Sequence, residues 1–289
     1  MGHANLRTRS AKRARLAPST VNQAGASSEP KAEIDGFCGD PNFMMSLARG
    51  LAVIQAFSAR KQQLTISHVS NKTGFSRAAV RRCLYTLAQL GFAGSDDGRH
   101  FFLRPRVLTL GHSYISSMPL AAAAQPVLEH VSRLLHESCS IAALDGVDIV
   151  YIARVNVTRI MSIDLDVGSR LPAYCTSMGR VLLANLPPEE LESYLSHAVL
   201  TRRTDRTIVS AKKLKQVLRQ IRSDGYSVVD QELEHGLRSM AVPIQNTAGR
   251  VTGAINVGTH SQRVSIQDMI NKFLPHLQAA AQELAMLLK

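Results

Sequence analysis

Three arginines in one short stretch are the side chains whose type and spacing first suggest chemistry. Arg77 and Arg81 lie one helical turn apart if the stretch is helical, and Arg82 adjoins them. A guanidinium group holds its N–H donors in a fixed fork, which matches the paired acceptors of guanine or the oxygens of a phosphate. The stretch therefore predicts a cationic helix that meets a polyanion with its amino-terminal half.

Two helices and a turn would present these arginines. Residues 65–90 read T-I-S-H-V-S-N-K-T-G-F-S-R-A-A-V-R-R-C-L-Y-T-L-A-Q-L, in which Gly74 separates two helical segments and Ser76 is placed to cap the second. Apolar residues of the second segment recur at three- and four-residue steps, which predicts one buried stripe of Val80, Leu84, Leu87 and Leu90. The pattern is typical of a helix-turn-helix, and a helical hairpin with a solvated basic face is the alternative.

A hairpin is predicted directly after the second helix. Residues 91–104 read G-F-A-G-S-D-D-G-R-H-F-F-L-R, so two short apolar runs flank an Asp-Asp-Gly turn. This arrangement makes a winged helix-turn-helix, with Arg99 and His100 at the wing, where they would touch phosphate or the minor groove. The candidate DNA contacts are Thr65, Ser76, Arg77, Arg81, Arg82, Arg99 and His100.

The charge distribution agrees with a polyanion partner. The formal net charge is +12, and residues 44–106 hold ten Lys and Arg against two Asp, a net +8. Residues 1–43 and 107–289 carry only +2 each. Because the charge is concentrated in the helix-turn-helix segment, double-stranded DNA is the predicted partner.

The amino-terminal part divides into an arm, a DNA-binding domain and a linker. Residues 1–43 lack apolar periodicity and predict a disordered basic arm, which either contacts phosphates or is a solvated tail. The DNA-binding domain spans residues 44–104. Its first helix, residues 45–57, is predicted to pack through a stripe of Leu47, Leu51, Ile54 and Phe57. Residues 105–118 predict a linker helix, broken at Met118-Pro119.

Residues 119–289 predict an α+β domain, and the chain of 289 residues with 45% hydrophobic content is long enough for two packed domains. Six strands, mostly antiparallel, are predicted over residues 140–144, 148–155, 159–166, 226–231, 239–245 and 251–258. Helices are predicted over residues 120–136, 179–185, 188–196, 211–224 and 266–288.

A candidate ligand site lies at residues 174–180, Y-C-T-S-M-G-R, just before a helix. Unpaired backbone amides and the positive end of the helix dipole favour a carboxylate there, although a simple helix cap is the alternative. Ser239 and Asn256 are polar positions in otherwise apolar strands. A bound polar ligand or an internal hydrogen bond must satisfy them.

Several other classes of protein are disfavoured. The chain has no nucleophile elbow, Walker loop, dinucleotide glycine pattern or metal-ligand histidine pair, so we expect no catalysis, cofactor or metal. Its four cysteines are far apart, which predicts free thiols: Cys38, Cys83, Cys139 and Cys175. No run of eighteen apolar residues and no signal core occur, so we expect a cytoplasmic protein without a membrane partner.

Three segments together resemble the IclR family of bacterial transcription regulators. They are S-L-A-R-G-L-A-V-I-Q-A-F, the helix-turn-helix sequence quoted above, and G-S-R-L-P-A-Y-C-T-S-M-G-R-V-L-L-A. The similarity runs from about Ser46 to the end of the chain. The phrase R-I-M-S-I-D-L-D-V-G-S-R-L-P-A-Y-C-T-S-M-G-R is further similar to the subgroup that controls protocatechuate and 4-hydroxybenzoate catabolism, the β-ketoadipate pathway regulators.

The resemblance implies a GAF-like effector domain and a homodimer or tetramer on a palindromic operator. The effector would be a small aromatic or dicarboxylic acid that shifts the arrangement of the DNA-binding domains. The implied effector site comprises loop amides, strand side chains, an acidic contact and apolar walls: Ser177, Met178, Gly179, Ser239, Asn256, Asp230, Met161 and Leu171. If Val229 instead of Asp230 takes the acidic position, the pocket is less polar and suits an aromatic ring.

Two alternatives stay open at this point. A small-molecule enzyme or sensor could dock on a protein through its basic domain, and would then turn over or bind an acid without binding duplex DNA. An architectural DNA-binding protein with an empty effector domain would bind its operator regardless of any catabolite.

Overall fold

The computed structural model describes residues 30–57, 62–117, 119–157 and 165–287. The amino-terminal cationic cluster of the predicted arm lies outside these ranges. Within residues 30–43 the prediction of disorder is wrong, because a short helix forms there. Ile34 packs against the hydrophobic core of the amino-terminal domain, and the rings of Phe37 and Phe43 stack with their centroids 4.4 Å apart.

The amino-terminal domain is a winged helix-turn-helix. Its small sheet has the order β1-β3-β2, with both pairings antiparallel. The elements are α1 (Pro30–Asp35), α2 (Met45–Gln55), β1 (Leu64–Thr65), α3 (Ile66–Thr73), α4 (Arg77–Gln89), β2 (Ala93–Ser95) and β3 (His100–Leu103).

Side-chain caps and a glycine fix the turn between α3 and α4. The Thr65 hydroxyl accepts from the amide of His68 at the start of α3, and the Ser76 hydroxyl accepts from Ala79 N at 3.2 Å at the start of α4. Gly74 ends α3 with φ of 75°, a left-handed conformation that glycine adopts without strain. The predicted break at Gly74 and the predicted cap at Ser76 are confirmed.

The core of this domain differs from the predicted stripes at two helices. Val80, Leu84 and Leu87 of α4 are buried as predicted, but Leu90 is 50% exposed because α4 ends one residue before it. In α2 the buried residues are Ala52 and Val53. The prediction that Leu47 and Leu51 pack inward is wrong, since both are about half exposed. The inward face of α2 is rotated from the leucine stripe because small side chains allow a close approach to α4.

The linker region consists of a 3₁₀ turn and two helices. Pro105–Val107 forms the turn, and α5 (Leu108–Ser117) follows it. The next helix, α6 (Pro119–Leu135), begins with the proline that was predicted to break the linker, and Met118 lies outside the described residues.

The carboxy-terminal domain has a six-stranded sheet of order β6-β5-β4-β9-β8-β7, in which all five pairings are antiparallel. The α+β prediction is confirmed. The strands are β4 (Ser138–Asp145), β5 (Asp148–Val155), β6 (Arg170–Pro172), β7 (Ser227–Asp230), β8 (Leu237–Gln245) and β9 (Val251–His260). The helices are α7 (Ser177–Ala184), α8 (Pro188–His197), α9 (Ala211–Asp224), α10 (Ile266–Asp268) and α11 (Leu274–Leu287).

A short strand forms the edge of the sheet beside β5. Most of predicted strand 159–166 lies outside the described residues, and the strand that pairs with β5 is β6, three residues long. Arg170 of β6 holds this edge in place, because its guanidinium pairs with Asp145 and Asp148 at the two ends of the β4–β5 turn. The final predicted helix is also interrupted, by a π-helical turn at Met269–Phe273.

The two faces of the large sheet differ in the size of the side chains that β8 and β9 place on them. Alternation along β8 and β9 sends Met240, Ile255 and Val257 to the face that packs on α6 and α11. The small residues Ala241 and Ala254 face α7 and α9 instead. Small side chains on this second face leave room between the sheet and the amino-terminal end of α7.

Gly179 is required for the packing of α7 on the 3₁₀ turn that precedes it, Ala173–Cys175. A Cβ atom at this position would lie 2.2 Å from the carbonyl oxygen of Ala173. We therefore expect Gly179→Ala to lower the free energy of unfolding by about 1–3 kcal/mol, as overpacked sites do. Urea denaturation should be compared with Gly50→Ala, a helical position with open space around its Cβ. Equal unfolding midpoints for the two variants would contradict the packing role.

Candidate functional site

The exposed face of α4 carries three cations without acidic neighbours. Arg77, Arg81 and Arg82 are all exposed, and within the described ranges none of them forms an ion pair. A guanidinium that is not neutralised by a carboxylate keeps its donors for a base edge or a phosphate. Thr65 and Ser76, two other predicted DNA contacts, hold the helices that present this face through their caps.

The wing turn is organised by one carboxylate. Asp97 accepts from the backbone N–H groups of Arg99 and His100 at 2.8 and 2.7 Å, and from His100 Nδ1 at 2.6 Å. The imidazole hydrogen bond and these two amides hold the pKa of Asp97 well below its usual range. His100 therefore braces the turn, and the exposed Arg99 side chain is the wing residue that is placed to reach a phosphate.

A cavity of about 640 Å³ lies between the sheet, the amino-terminal end of α7 and the loop of residues 231–236. Its volume is within the range of small-molecule sites. Five of the predicted effector residues line it, together with the position predicted as the alternative to Asp230: Leu171, Ser177, Met178, Ser239, Asn256 and Val229.

Three predicted effector residues are placed otherwise. Met161 lies outside the described residues. Gly179 is not part of the cavity wall, because it packs against Ala173. Asp230 is also absent from the wall, since its carboxylate pairs with Arg206 and Arg238, and the prediction of an acidic effector contact at Asp230 is corrected.

Two cavity-lining side chains are buried with an unpartnered polar atom. Within the described part of the chain, Ser177 Oγ and Asn256 Oδ1 are cut off from solvent and have no hydrogen-bond partner. Leaving such an atom unpaired costs about 1–3 kcal/mol. A ligand that supplies hydrogen bonds in the cavity would remove this cost.

Arg154 is the cavity residue that the sequence reasoning missed. Its Nη1 donates to Ser140 Oγ at 2.8 Å, and its guanidinium lies 5.7 Å from the centre of the Tyr151 ring. Among the described residues it forms no ion pair with a carboxylate, and burial lowers its pKa. An arginine in the apolar run D-I-V-Y-I-A-R-V was the available signal, because a buried cation in a strand needs an anionic or hydrogen-bonding partner.

The sheet register brings Arg154 to the polar strand positions. Ser140 of β4 pairs with Arg154 on one side and with Asn256 on the other, so the three side chains form a row across one face of the sheet. Glu137 is a buried carboxylate that also lines the cavity. It accepts hydrogen bonds from Thr259 and Arg263. Burial nevertheless raises the pKa of Glu137.

The amino-terminal end of α7 faces the same space. Thr176 caps this helix, and its hydroxyl accepts from Gly179 N at 3.3 Å. The first-turn amides of a helix have no partner within it and concentrate positive potential. A carboxylate between this helix end and the arginine of β5 would meet two sources of positive potential.

The cavity thiol does not provide a nucleophile. Cys175 is buried, and desolvation raises its pKa to about 11, so the thiol is protonated at neutral pH. Within the described ranges, no group of three or more His, Cys, Asp or Glu could hold a metal ion. No helix in those ranges is both long and apolar enough to cross a membrane.

The winged helix-turn-helix, followed by a sheet domain with a ligand-sized cavity, defines the class of effector-controlled transcriptional regulators. Residues 46–97 match the IclR helix-turn-helix domain, and residues 112–286 match the C-terminal domain of bacterial IclR transcriptional regulators. The chain belongs to the IclR family. It is therefore a DNA-binding transcriptional regulator and not an enzyme.

Individual relatives agree with this assignment. The Pca regulon regulatory protein of Pseudomonas putida is 55% identical over 88% of each chain. A protein of Rhodococcus sp. RHA1 described as a transcriptional regulator is 48% identical, with a TM-score of 0.74 over 85% of this chain and 98% of that one. The inducer-binding domain of a double mutant of the Acinetobacter transcription factor PobR, solved with 3-hydroxybenzoic acid, is 31% identical, with a TM-score of 0.55 over 57% of this chain and 97% of that one.

The unpartnered oxygen of Asn256 has a measurable consequence for stability. Without a ligand, the nearly isosteric Asn256→Leu should raise the free energy of unfolding by about 1 kcal/mol, because it removes a buried unpaired acceptor. Ser140→Ala is the matched control, since it removes the hydroxyl to which Arg154 donates and should destabilise the domain. Denaturant titrations of the two variants measure the change in the free energy of unfolding. A loss of stability in Asn256→Leu comparable to that in Ser140→Ala would show that the Asn256 amide is already satisfied.

Proposed function

We propose that this protein regulates genes of aromatic-acid catabolism, and that a small aromatic or dicarboxylic acid bound in the cavity controls its affinity for the operator. The observation that carries the proposal is that one cavity holds two unpartnered polar atoms and a half-buried arginine, Arg154, which forms no carboxylate ion pair among the described residues. Two relatives, the Pca regulon regulatory protein and a PobR domain solved with 3-hydroxybenzoic acid, support the same chemical class.

The acid is held, in this proposal, between two walls of the cavity. Its carboxylate meets Arg154 and the first-turn amides at Ser177 and Met178, while Asn256 and Ser239 accept or donate hydrogen bonds to the rest of the ligand. Leu171 and Val229 supply apolar surface for a ring or a methylene chain. The carboxylate of a benzoic acid, or one carboxylate of a dicarboxylic acid, takes the charged position, and Asn256 and Ser239 serve the other polar groups of either ligand.

The DNA-binding domain, taken as residues 44–104, reads a duplex through α4 in the major groove. Arg77, Arg81 and Arg82 contribute base or phosphate contacts, and Arg99 at the wing contributes a phosphate contact. Thr65 and Ser76 hold the two helices at their caps and lie where a phosphate would approach. Since this target is chromosomal DNA, the proposal includes a place in the bacterial cytoplasm.

A homodimer on a palindromic operator completes the proposal. Large apolar side chains are exposed on α2 and α5, beside the DNA-binding face and in the linker: Leu47, Leu51, Leu108, Leu110 and Tyr114. Exposed large apolar side chains are candidates for burial in an interface between subunits. The effector then acts by binding more tightly to one arrangement of the two DNA-binding domains than to the other.

Operator binding tests the DNA-binding half. Arg81→Ala should weaken binding to the promoter region by about 1–3 kcal/mol, or roughly 5- to 150-fold in Kd, and should lower the salt dependence of binding. Fluorescence anisotropy at several salt concentrations measures both quantities. Arg219→Ala, an exposed change on α9, is the control and should leave them unchanged. Equal affinities and salt slopes for Arg81→Ala and the wild type would refute the assignment of α4.

Thermal melting tests the effector half. An acid at a hundred times its Kd stabilises the protein by about 2.7 kcal/mol, which raises Tm. Protocatechuate, 4-hydroxybenzoate and β-ketoadipate form the first panel. We expect Arg154→Met to lose most of the shift because it removes the counter-charge, whereas the exposed Arg222→Met should keep it. A full shift in Arg154→Met would overturn the proposed carboxylate site.

A further inference from the structure

A buried ion pair connects two walls of the cavity. Arg180 is 2% exposed and Glu232 8% exposed, and the two side chains form parallel hydrogen bonds, Nη1 to Oε1 and Nη2 to Oε2, both 2.6 Å long. Arg180 lies one turn into α7, and Glu232 lies in the loop of residues 231–236. Neither side chain lines the cavity, so a direct contact with the effector is not their role.

The arginine fixes the first wall. Its Nε donates to the carbonyl oxygen of Tyr174 at 2.8 Å, so the guanidinium uses a third donor on the 3₁₀ turn that leads into α7. The four residues after Tyr174 line the cavity: Cys175, Thr176, Ser177 and Met178. The position of this stretch therefore depends on a side chain that is anchored to Glu232 in the loop of residues 231–236.

The glutamate fixes the second wall. Besides Arg180, its carboxylate accepts from Ile208 N at 3.0 Å, and its backbone carbonyl accepts from Thr207 Oγ1 at 2.7 Å. The residues that follow it along the loop, from Leu233 to Leu237, all line the cavity. Gln231 enters this loop with φ of 60°, a conformation that costs a non-glycine residue energy and persists only where neighbours enforce it.

We infer that Arg180 and Glu232 are the positioning pair of the effector site, and that their ion pair sets the distance between the α7 end and the loop of residues 231–236. This inference rests on the effector-binding function proposed above. A buried ion pair contributes more to a unique geometry than to net stability, because desolvation offsets much of the attraction. Its planar, two-point geometry also suits arginine and not lysine.

The test uses Arg180→Lys and Glu232→Gln in the full-length protein. Each keeps the approximate size of the side chain but loses the paired charged hydrogen bonds. Titration calorimetry with whichever of protocatechuate, 4-hydroxybenzoate or β-ketoadipate shifts the wild-type Tm should show at least a tenfold higher Kd. Hydrogen exchange of the amides of residues 231–236 should become at least tenfold faster, while the central strands stay protected. If Arg180→Lys fails to fold, the ligand titration and the hydrogen-exchange measurement are made on Glu232→Gln alone.

Leu277→Ala separates positioning from stability. Leu277 is fully buried on the opposite face of the sheet, so its truncation lowers Tm without touching either wall. It should leave the Kd within twofold and the loop exchange unchanged. Equal effects of Leu277→Ala and the pair variants would overturn the inference. If the wild type binds none of the three acids, the proposed effector class fails, and the exchange comparison, which needs no ligand, still decides whether the pair holds the loop.

Discussion

A polar atom that is cut off from water must find a partner in the protein or in a ligand, and the sheet of the effector domain is arranged around that constraint. One face is filled by large apolar side chains and packs dry against α6 and α11. The other face carries Arg154, Ser140 and Asn256 in one row beneath α7. Because the Asn256 oxygen in this row has no hydrogen-bond partner among the described residues, a ligand in the cavity can supply the missing hydrogen bond.

The helix-turn-helix could be predicted from the sequence because its determinants are local. Ser76 caps a helix and Gly74 ends one, and each interacts only with residues no more than about one turn away. A cap and a left-handed residue can therefore be recognised from the local sequence. The predicted stripe of α2 is correct at Ile54 and Phe57, which pack on the core, and wrong at Leu47 and Leu51, because tertiary packing decides which side of a short helix turns inward. Ala52 and Val53 permit close contact with α4, whereas periodicity favoured the larger Leu47 and Leu51.

The candidate site could be predicted only in part. The loop before α7 and the polar strand positions were visible as local exceptions to apolar patterns. Arg154 and the Arg180–Glu232 pair were not, because strand register and a contact across 52 residues of chain create their roles. The prediction left the acidic position open between Val229 and Asp230, and only Val229 lines the cavity, since successive residues of a strand point to opposite faces.

The lengths of the sheet's outer strands bear on how copies of this protein meet. Among the described residues, the two outer strands are β6 and β7, of three and four residues, whereas the four inner strands have eight to ten. A short edge offers few free backbone groups to a strand from another molecule, which limits uncontrolled fibre-like association. Pairing of two molecules of this protein through these outer strands is therefore disfavoured.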